Sequence, residues 1–436
     1  MALNTRSGCL ILEDGSVFPG YLHNLLKHGD VMAEAVFNTA MSGYEEVVTD
    51  PSYLGQIVVM TAPHQGNYGI NLEDAESGAA HLSGFVVREF CDVPSNWRSK
   101  VPLGDFLAHE GVAVLSGVDT RTLTLKLRRT GCLRAMITAG LAPVAPASRT
   151  FSSGKSATAP AGAPSQAWVE RKLRALKTHP QMQGSALAQE VSVNRVSLWQ
   201  RDRLAPLGGM PTGAVAAVWD FGVKWGILRQ IEALGLTPVV FPIGSTAEEI
   251  LACNPDAIVL SNGPGDPAAL HSAIEQAARL LAVKNRPWIL GICLGHQILA
   301  LACGAKTYKM TFGHRGVNHP VKDIATGRVL ITSHNHGFAV DAKTLPAGVA
   351  TAYVSLNDDT LEGMFSQERR FISTQFHPES SPGPHEARGI FAQFQGMLSK
   401  ESLSSSFRNL RSRYPESSSL NDLDSGFRRN DEQGGD

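Results

Sequence analysis

The residues best suited to chemistry lie in the run Trp288-Ile-Leu-Gly-Ile-Cys-Leu-Gly-His-Gln-Ile-Leu-Ala300. An apolar stretch leads into Gly291-Ile-Cys-Leu-Gly295, and a helix-like stretch from Gln297 to Cys303 follows. This order of strand, sharp turn and helix matches a nucleophile elbow, with cysteine sulfur in the place of serine oxygen. Glycines let the backbone turn tightly and let a substrate come close to it. A helix beginning after Cys293 points its positive end at the sulfur, which favours the thiolate.

A nucleophilic cysteine needs a base, and the base needs a group to orient it. Phe376-His-Pro-Glu379 offers both, at the end of an expected strand. Active-site loops of parallel α/β sheets sit at such strand ends. His377 and Glu379, two residues apart, can point to one side. Glu379 would then hold the imidazole and stabilise its charged form. A surface turn is the plain alternative for His-Pro-Glu taken by itself. Stabilising an oxyanion takes backbone N–H donors. Leu294, next after the nucleophile, can supply one, and the Gly263-Pro-Gly265 loop a second. His314, His319, His334 and His336 have no recognised ligand spacing, so no metal is expected. Cys9, Cys91, Cys132, Cys253 and Cys303 read as structural.

The elements that must position these groups fall into two patterns. From Ala214 on, strands alternate with helices: Val215 to Trp219, Pro238 to Phe241 and Ala257 to Leu260 read as strands. Helices are expected over Lys224 to Leu234, Ala247 to Ala252 and Ala269 to Val283. This alternation predicts an α/β domain with a mostly parallel sheet and helices on both faces. Later strands are expected at Val329 to Thr332, Thr351 to Leu356, Leu361 to Phe365 and Phe371 to Phe376. The earlier part reads as a β-rich α+β unit. Its strands are expected at Cys9 to Leu12, Ser16 to Phe18, Ala35 to Phe37, Gln56 to Thr61, Gly84 to Arg88 and Val112 to Leu115, and a short helix at Asp105 to His109. Asp119 to Gly131 carries both signals. Leu123, Leu125 and Leu127 alternate like a strand, while Asp119 and Gly131 look like helix start and stop. Helix is the preferred reading.

Between the two units, Leu141 to Gln166 is almost all Ala, Pro, Ser, Thr and Gly, which predicts a linker. Its Gly154-Lys-Ser156 looks like the end of a phosphate loop, but Arg149 stands where the first glycine belongs and no strand precedes it. A helix is expected at Trp168 to Lys177, and a second linker at Arg203 to Gly213. The expected division is therefore 1–140, a linker region 141–212 with a short helix, 213–400, and a disordered Ser- and Arg-rich tail over 401–436.

Composition excludes several classes. Hydrophobic content of 43% supports real cores, and a net charge of -1 gives no footprint for nucleic acid. No apolar run is long enough for a membrane span. Six cysteines at no regular spacing, with no apolar leader, predict a reduced, cytoplasmic protein.

Taken together, Gly291-Ile-Cys-Leu-Gly-His-Gln297, Asn262-Gly-Pro-Gly-Asp-Pro267 and His377-Pro-Glu379 resemble the triad-type glutamine amidotransferases. Leu12-Glu-Asp-Gly15, Phe37-Asn-Thr39, Gly43-Tyr44, Thr49-Asp-Pro-Ser-Tyr53 and Asp119-Thr-Arg121 are similar to the small-subunit family of glutamine-dependent carbamoyl-phosphate synthetases. So are Phe312-Gly-His314, Asn318-His-Pro320 and Asn335-His-Gly-Phe338. The resemblance runs from about Leu10 to about Leu398, without the linker and tail. It implies Cys293 as nucleophile, His377 as base and Glu379 as its orienter. It implies glutamine contacts from Ser52, Gly263, Gly265, Leu294, Gln297, Asn335, Gly337 and Phe338. No cofactor is expected on this chain. ATP and Mg would belong to a large synthetase subunit, in a heterodimer or a higher oligomer, serving arginine and pyrimidine synthesis. Two departures stand out. Gly226 follows Lys224-Trp225 where the family usually has Asn, which weakens the start of that helix by up to ~1 kcal/mol. His334 stands where Gln is usual and would add a titrating group beside Asn335. Two other readings stay open: an amidotransferase component of anthranilate synthesis, and a non-enzymatic regulatory subunit on the same fold.

Overall fold

The computed structural model describes residues 6–23, 29–140 and 165–399. Most of the 141–166 stretch, with the phosphate-loop lookalike at 154–156, and the tail over 401–436 lie outside the described residues.

The first unit closes on itself. Strands β1 (Arg6–Leu12), β2 (Val17–Leu22), β3 (Val31–Asn38) and β4 (Gln56–Met60) precede a two-stranded ribbon, β5 (His64–Gln65) with β7 (Glu89–Phe90), interleaved with β6 (Gly84–Val86). Strands β8 (Ala113–Ser116) and β9 (Leu133–Ala139) complete a barrel in the order β1-β2-β8-β6-β4-β3-β9. Closure comes from β9 pairing antiparallel with both β1 and β3. It leaves no open sheet edge in the barrel. Helices α1 (Tyr44–Thr49), α2 (Leu103–Glu110) and α3 (Thr120–Thr130) belong to the same unit. The mixed signal at 119–131 resolves as helix. The Asp119 side chain accepts from Thr122 N, and Gly131 turns out with φ +94°. Leu123 and Leu127, four apart, face the core while Leu125 is exposed.

Helices α4 (Gln166–Thr178) and α5 (Ala188–Val191) lead to an eleven-stranded sheet. Its centre is parallel: β13 (Thr237–Phe241), β12 (Val215–Trp219), β14 (Ala257–Leu260), β15 (Ile289–Ile292) and β20 (Phe371–Thr374), in that order. One edge is extended antiparallel by β10 (Ser197–Gln200) and β11 (Arg203–Pro206). Arg203–Pro206 therefore corrects the expected linker over Arg203 to Gly213. Two short strands give this edge a hairpin, with Arg201 and Asp202 at positive φ in its turn. The other edge runs through β19 (Leu361–Ser366), β18 (Ala350–Ser355), β16 (Thr307–Asp323) and β17 (Val329–Val340). The parallel part is thus confined to the five central strands.

Helices cover both faces. On one, α6 (Trp225–Ala233) and α10 (Gly389–Ser399) bury Ile227, Leu228, Ile231, Phe391 and Phe394. On the other, α7 (Ala247–Ala252), α8 (His271–Ala282) and α9 (Leu294–Ala302) bury Ile250, Leu280 and Leu299. Burying strands on both faces is why β12, β14 and β15 read as continuous apolar runs.

Candidate active site

Cys293 joins β15 to α9 and sits at φ +52°, ψ −100°, a conformation that non-glycine residues rarely adopt. The turn fits because the residues two positions to either side, Gly291 and Gly295, lack side chains. A Cβ on Gly295 would lie 2.2 Å from the Leu260 carbonyl oxygen, and one on Gly291 2.6 Å from Leu299. The N–H of Gly295 instead bonds that neighbouring strand end, donating to Ser261 O at 2.9 Å. All residues from Leu294 to Ala300 are buried, so the first two turns of α9 are enclosed on every side, with His296 and Gln297 held by hydrogen bonds.

His377 follows β20, the strand beside β15, and its backbone N–H donates to Ser333 O at 2.9 Å. Its Nδ1 lies 2.7 Å from Glu379 Oε1. The same carboxylate oxygen accepts from Lys224 Nζ at 2.8 Å. Burial opposes charge on all three groups. It is overcome for His377 by the Glu379 charge, with Cys293 adding to it, so that the imidazole is raised to about 10. Burial would raise Glu379, but the charges of Lys224 and His377 bring it down to about 2. Despite burial, Glu379 and Glu76 hold Lys224 above the usual lysine range. Glu76, from the barrel unit, lies 3.6 Å from Lys224 and is itself pushed up to about 7, chiefly by burial.

A cleft of ≈ 370 Å³ opens at Cys293. Of the expected glutamine contacts, Ser52, Gly263, Gly265, Gln297, Asn335, Gly337 and Phe338 all line it. Leu294 does not; it is the buried first residue of α9, where its N–H belongs to the unpaired first turn. Ser52 comes from the barrel unit, and its hydroxyl accepts from Asn262 Nδ2 at 2.9 Å. Gln297 Nε2 donates to Phe338 O at 2.8 Å and to Gln375 Oε1 at 2.9 Å.

Several groups here had no local signal. Lys224 and Glu76 reach Glu379 from distant segments. Asp50 accepts from Ser52 N and from Asn335 Nδ2, each at 2.8 Å, and so ties both cleft walls together. Gln375 places its amide 3.7 Å from the Cys293 sulfur. Its position two residues before His377, on the same strand end, could have flagged it. Arg315, Glu34, Gln56 and Met182 also line the cleft.

The two sequence departures change meaning in three dimensions. Gly226 is not only a weak helix residue. Its N–H donates to Glu76 Oε2 at 3.0 Å, and a Cβ there would lie 2.9 Å from that oxygen and 3.2 Å from Glu379 Cγ. The glycine makes room for two carboxylates. His334 adds no titrating group near neutrality. Burial, then the neighbouring histidines, hold it neutral and well below the usual histidine range. The histidines judged unrelated by spacing do converge: His314, His334, His336 and Glu362, all buried, place ligand atoms within 4.8 Å of one another. Pairing of β16 with β17 sets His314 opposite His336, which no linear spacing reveals.

Residues 217–397 match the glutamine amidotransferase class-I family, and residues 10–137 match the CPSase domain of the carbamoyl-phosphate synthase small chain. The carbamoyl phosphate synthase small chain of Solidesulfovibrio magneticus is 41% identical over 399 residues, covering 90% of this chain and 98% of that protein. The one from Akkermansia muciniphila is 44% identical over 390 residues, covering 89% of this chain and 96% of that protein. With both units matched and alignment along nearly the full length of such relatives, the chain belongs to the carbamoyl-phosphate synthase small chain family.

Proposed function

We propose that the chain hydrolyses L-glutamine at Cys293 and passes the ammonia to a large synthetase subunit, which makes carbamoyl phosphate from bicarbonate and ATP. The observation that carries this reading is that Cys293, which interacts with the buried His377–Glu379 pair, opens on a cleft lined by residues of both units. With its proton held on His377, the Cys293 sulfur attacks the side-chain amide carbon, and the oxyanion is met by the N–H groups of Leu294 and Gly263. With its pKa near 10, His377 is charged at neutral pH and is poised to give a proton to the departing ammonia. A γ-glutamyl thioester remains on the sulfur. Neutral His377 then takes a proton from water, which attacks the thioester and releases glutamate. Glu379, kept ionised by Lys224, orients the imidazole through both steps.

Glutamine is zwitterionic, so its carboxylate needs donors and its ammonium acceptors. Ser52, Gln297, Asn335, Gly337 and Phe338 line the cleft, which supports giving them those roles. Ammonia released to neutral water becomes ammonium and loses its nucleophilicity, so a partner must receive it directly. ATP and Mg chemistry then belongs to that partner, and the product would feed arginine and pyrimidine synthesis in the cytoplasm. The match of residues 10–137 favours this over anthranilate synthesis. The intact triad favours an enzyme over a regulatory subunit.

The test is reconstitution with the large subunit. Cys293→Ser should abolish glutamine-dependent carbamoyl phosphate synthesis and leave synthesis from added ammonia intact. Glutamine-dependent synthesis surviving in that variant would overturn the assignment.

A further inference from the structure

The histidine cluster beside the cleft has a proton inventory that does not close. Thr332 Oγ1 donates its one proton to His319 O at 2.8 Å, so it can only accept from His334 Nε2, 2.7 Å away. His334 Nδ1 is then a bare acceptor. The carbonyl of Phe338 takes a proton from His336 Nδ1 at 2.9 Å, which leaves His336 Nε2 bare. These two bare nitrogens lie 3.1 Å apart. His314 gives its Nε2 proton to Asp358 at 2.9 Å, and its Nδ1 has no hydrogen bond among the described residues. That Nδ1 faces Glu362 Oε1 at 3.4 Å, while Glu362 Oε2, likewise unpaired, lies 3.6 Å from His334 Nδ1. The His334–His336 contact therefore sets acceptor against acceptor in a site whose residues are at most 5% exposed. Such an arrangement is costly unless a cation lies between them.

One added proton does not resolve both the His334–His336 and the His314–Glu362 contacts; that takes two imidazolium charges packed side by side in a buried site. A charged His314 would satisfy its contact with Glu362 but leave the His334–His336 pair as two lone pairs in contact. A metal ion resolves all of it. Zinc bonds nitrogen at about 2.0–2.1 Å, so tetrahedral ligand atoms stand about 3.3 Å apart. Three separations here, 3.1, 3.4 and 3.6 Å, the last two to different oxygens of Glu362, bracket that edge, and all the ligand atoms lie within 4.8 Å of one another. Each imidazole also donates its other N–H outward, to Thr332, Phe338 O or Asp358, as metal-bound histidines do.

We propose that His314 Nδ1, His334 Nδ1, His336 Nε2 and the Glu362 carboxylate form a four-coordinate site for a first-row divalent cation, zinc before others. Three imidazoles and one carboxylate suit zinc and disfavour magnesium or calcium, which take oxygen ligands. With four protein ligands the site is closed to substrate and therefore structural. Its ligands bracket Asn335 and immediately precede Gly337 and Phe338, so the ion pins the strand that walls the cleft. That consequence rests on the glutaminase reading, whereas the binding itself does not.

Cobalt(II) is the probe, added to the full chain after chelator treatment and dialysis, in a Cys293→Ser background to remove that thiolate. One equivalent should bind, with visible bands of tetrahedral cobalt and no thiolate charge-transfer band, and zinc should displace it. His334→Gln and Glu362→Gln should each bind at least about 100-fold more weakly, beyond what outer-sphere changes produce. Their cooperative melting at the temperature of metal-free parent would show that they fold. Should they not fold, X-ray absorption on the zinc-loaded parent decides, with three imidazoles and one carboxylate expected. Substoichiometric binding, sulfur or six-oxygen coordination, or undiminished binding in both variants would overturn the site.

Discussion

His377 and the His334–His336 pair sit side by side, buried, on the extended sheet and take opposite charge states. His377 is 2% exposed and raised to about 10, whereas His334, at 3%, and His336, at 5%, are held well below the ordinary range. Burial works against the imidazolium in every case. The difference lies in the carboxylates. Glu379 is brought down to about 2 by Lys224 and His377, and it hands His377 a full negative partner. Glu362 has no lysine ion pair among the described residues and is pushed up by burial; against burial, Asp358 and Glu362 raise His314 to about 9 but leave His334 and His336 neutral. Depth alone does not set protonation; the nearest permanent charge does. In that sense Lys224, by holding Glu379 ionised, sets His377 apart from the His334–His336 pair.

Removing the imidazole of the first group should have the largest effect. His377→Asn is expected to lower glutamine hydrolysis by about 10³-fold, within the usual range for a general acid–base. A drop of less than tenfold would mean that His377 is not the proton carrier. Taking away the separating charge should come next. Lys224→Met leaves Glu379 buried without its lysine, and Glu76 with only Arg229 at 3.7 Å, at a cost of about 3–5 kcal/mol. The sign at low pH follows from Glu379. Its depressed pKa contributes stability above about 4.5 that is lost as pH falls toward 2. In Lys224→Met the pKa rises, so acid unfolding should begin at a higher pH. An unchanged acid limb would break the comparison. Gly226→Ala should have the smallest effect. Alanine improves helix propensity, but its Cβ would press on Glu76 Oε2 at 2.9 Å. A net destabilisation of about 1–2 kcal/mol is expected, as for other overpacked sites, and a more stable Gly226→Ala would show that the carboxylates shift freely.

Much of the site was legible because its signals are local. The glycines around Cys293 exist for a turn whose geometry is set within five residues, and His377 and Glu379 share one strand end. Alternation of strand and helix from Val215 to Leu260 reported a sheet buried on both faces. What escaped was non-local. Lys224 reaches Glu379 only because α6 starts against the end of β20. Barrel closure depends on β9 pairing with two strands far back in the chain, and nothing in Leu133–Ala139 itself announces it. Arg203–Pro206 reads as linker because its strand is short, partly exposed and at a sheet edge. The histidine cluster draws on three strands, so its ligand spacing exists only in the folded register.

The central claim is that a γ-glutamyl group passes through Cys293. Acid quenching of the full chain during glutamine turnover, followed by digestion and mass spectrometry, addresses it directly. The account predicts a γ-glutamyl thioester on the peptide containing Cys293, absent in Cys293→Ser. Turnover with no adduct on that peptide under rapid quenching, or hydrolysis persisting in Cys293→Ser, would contradict it.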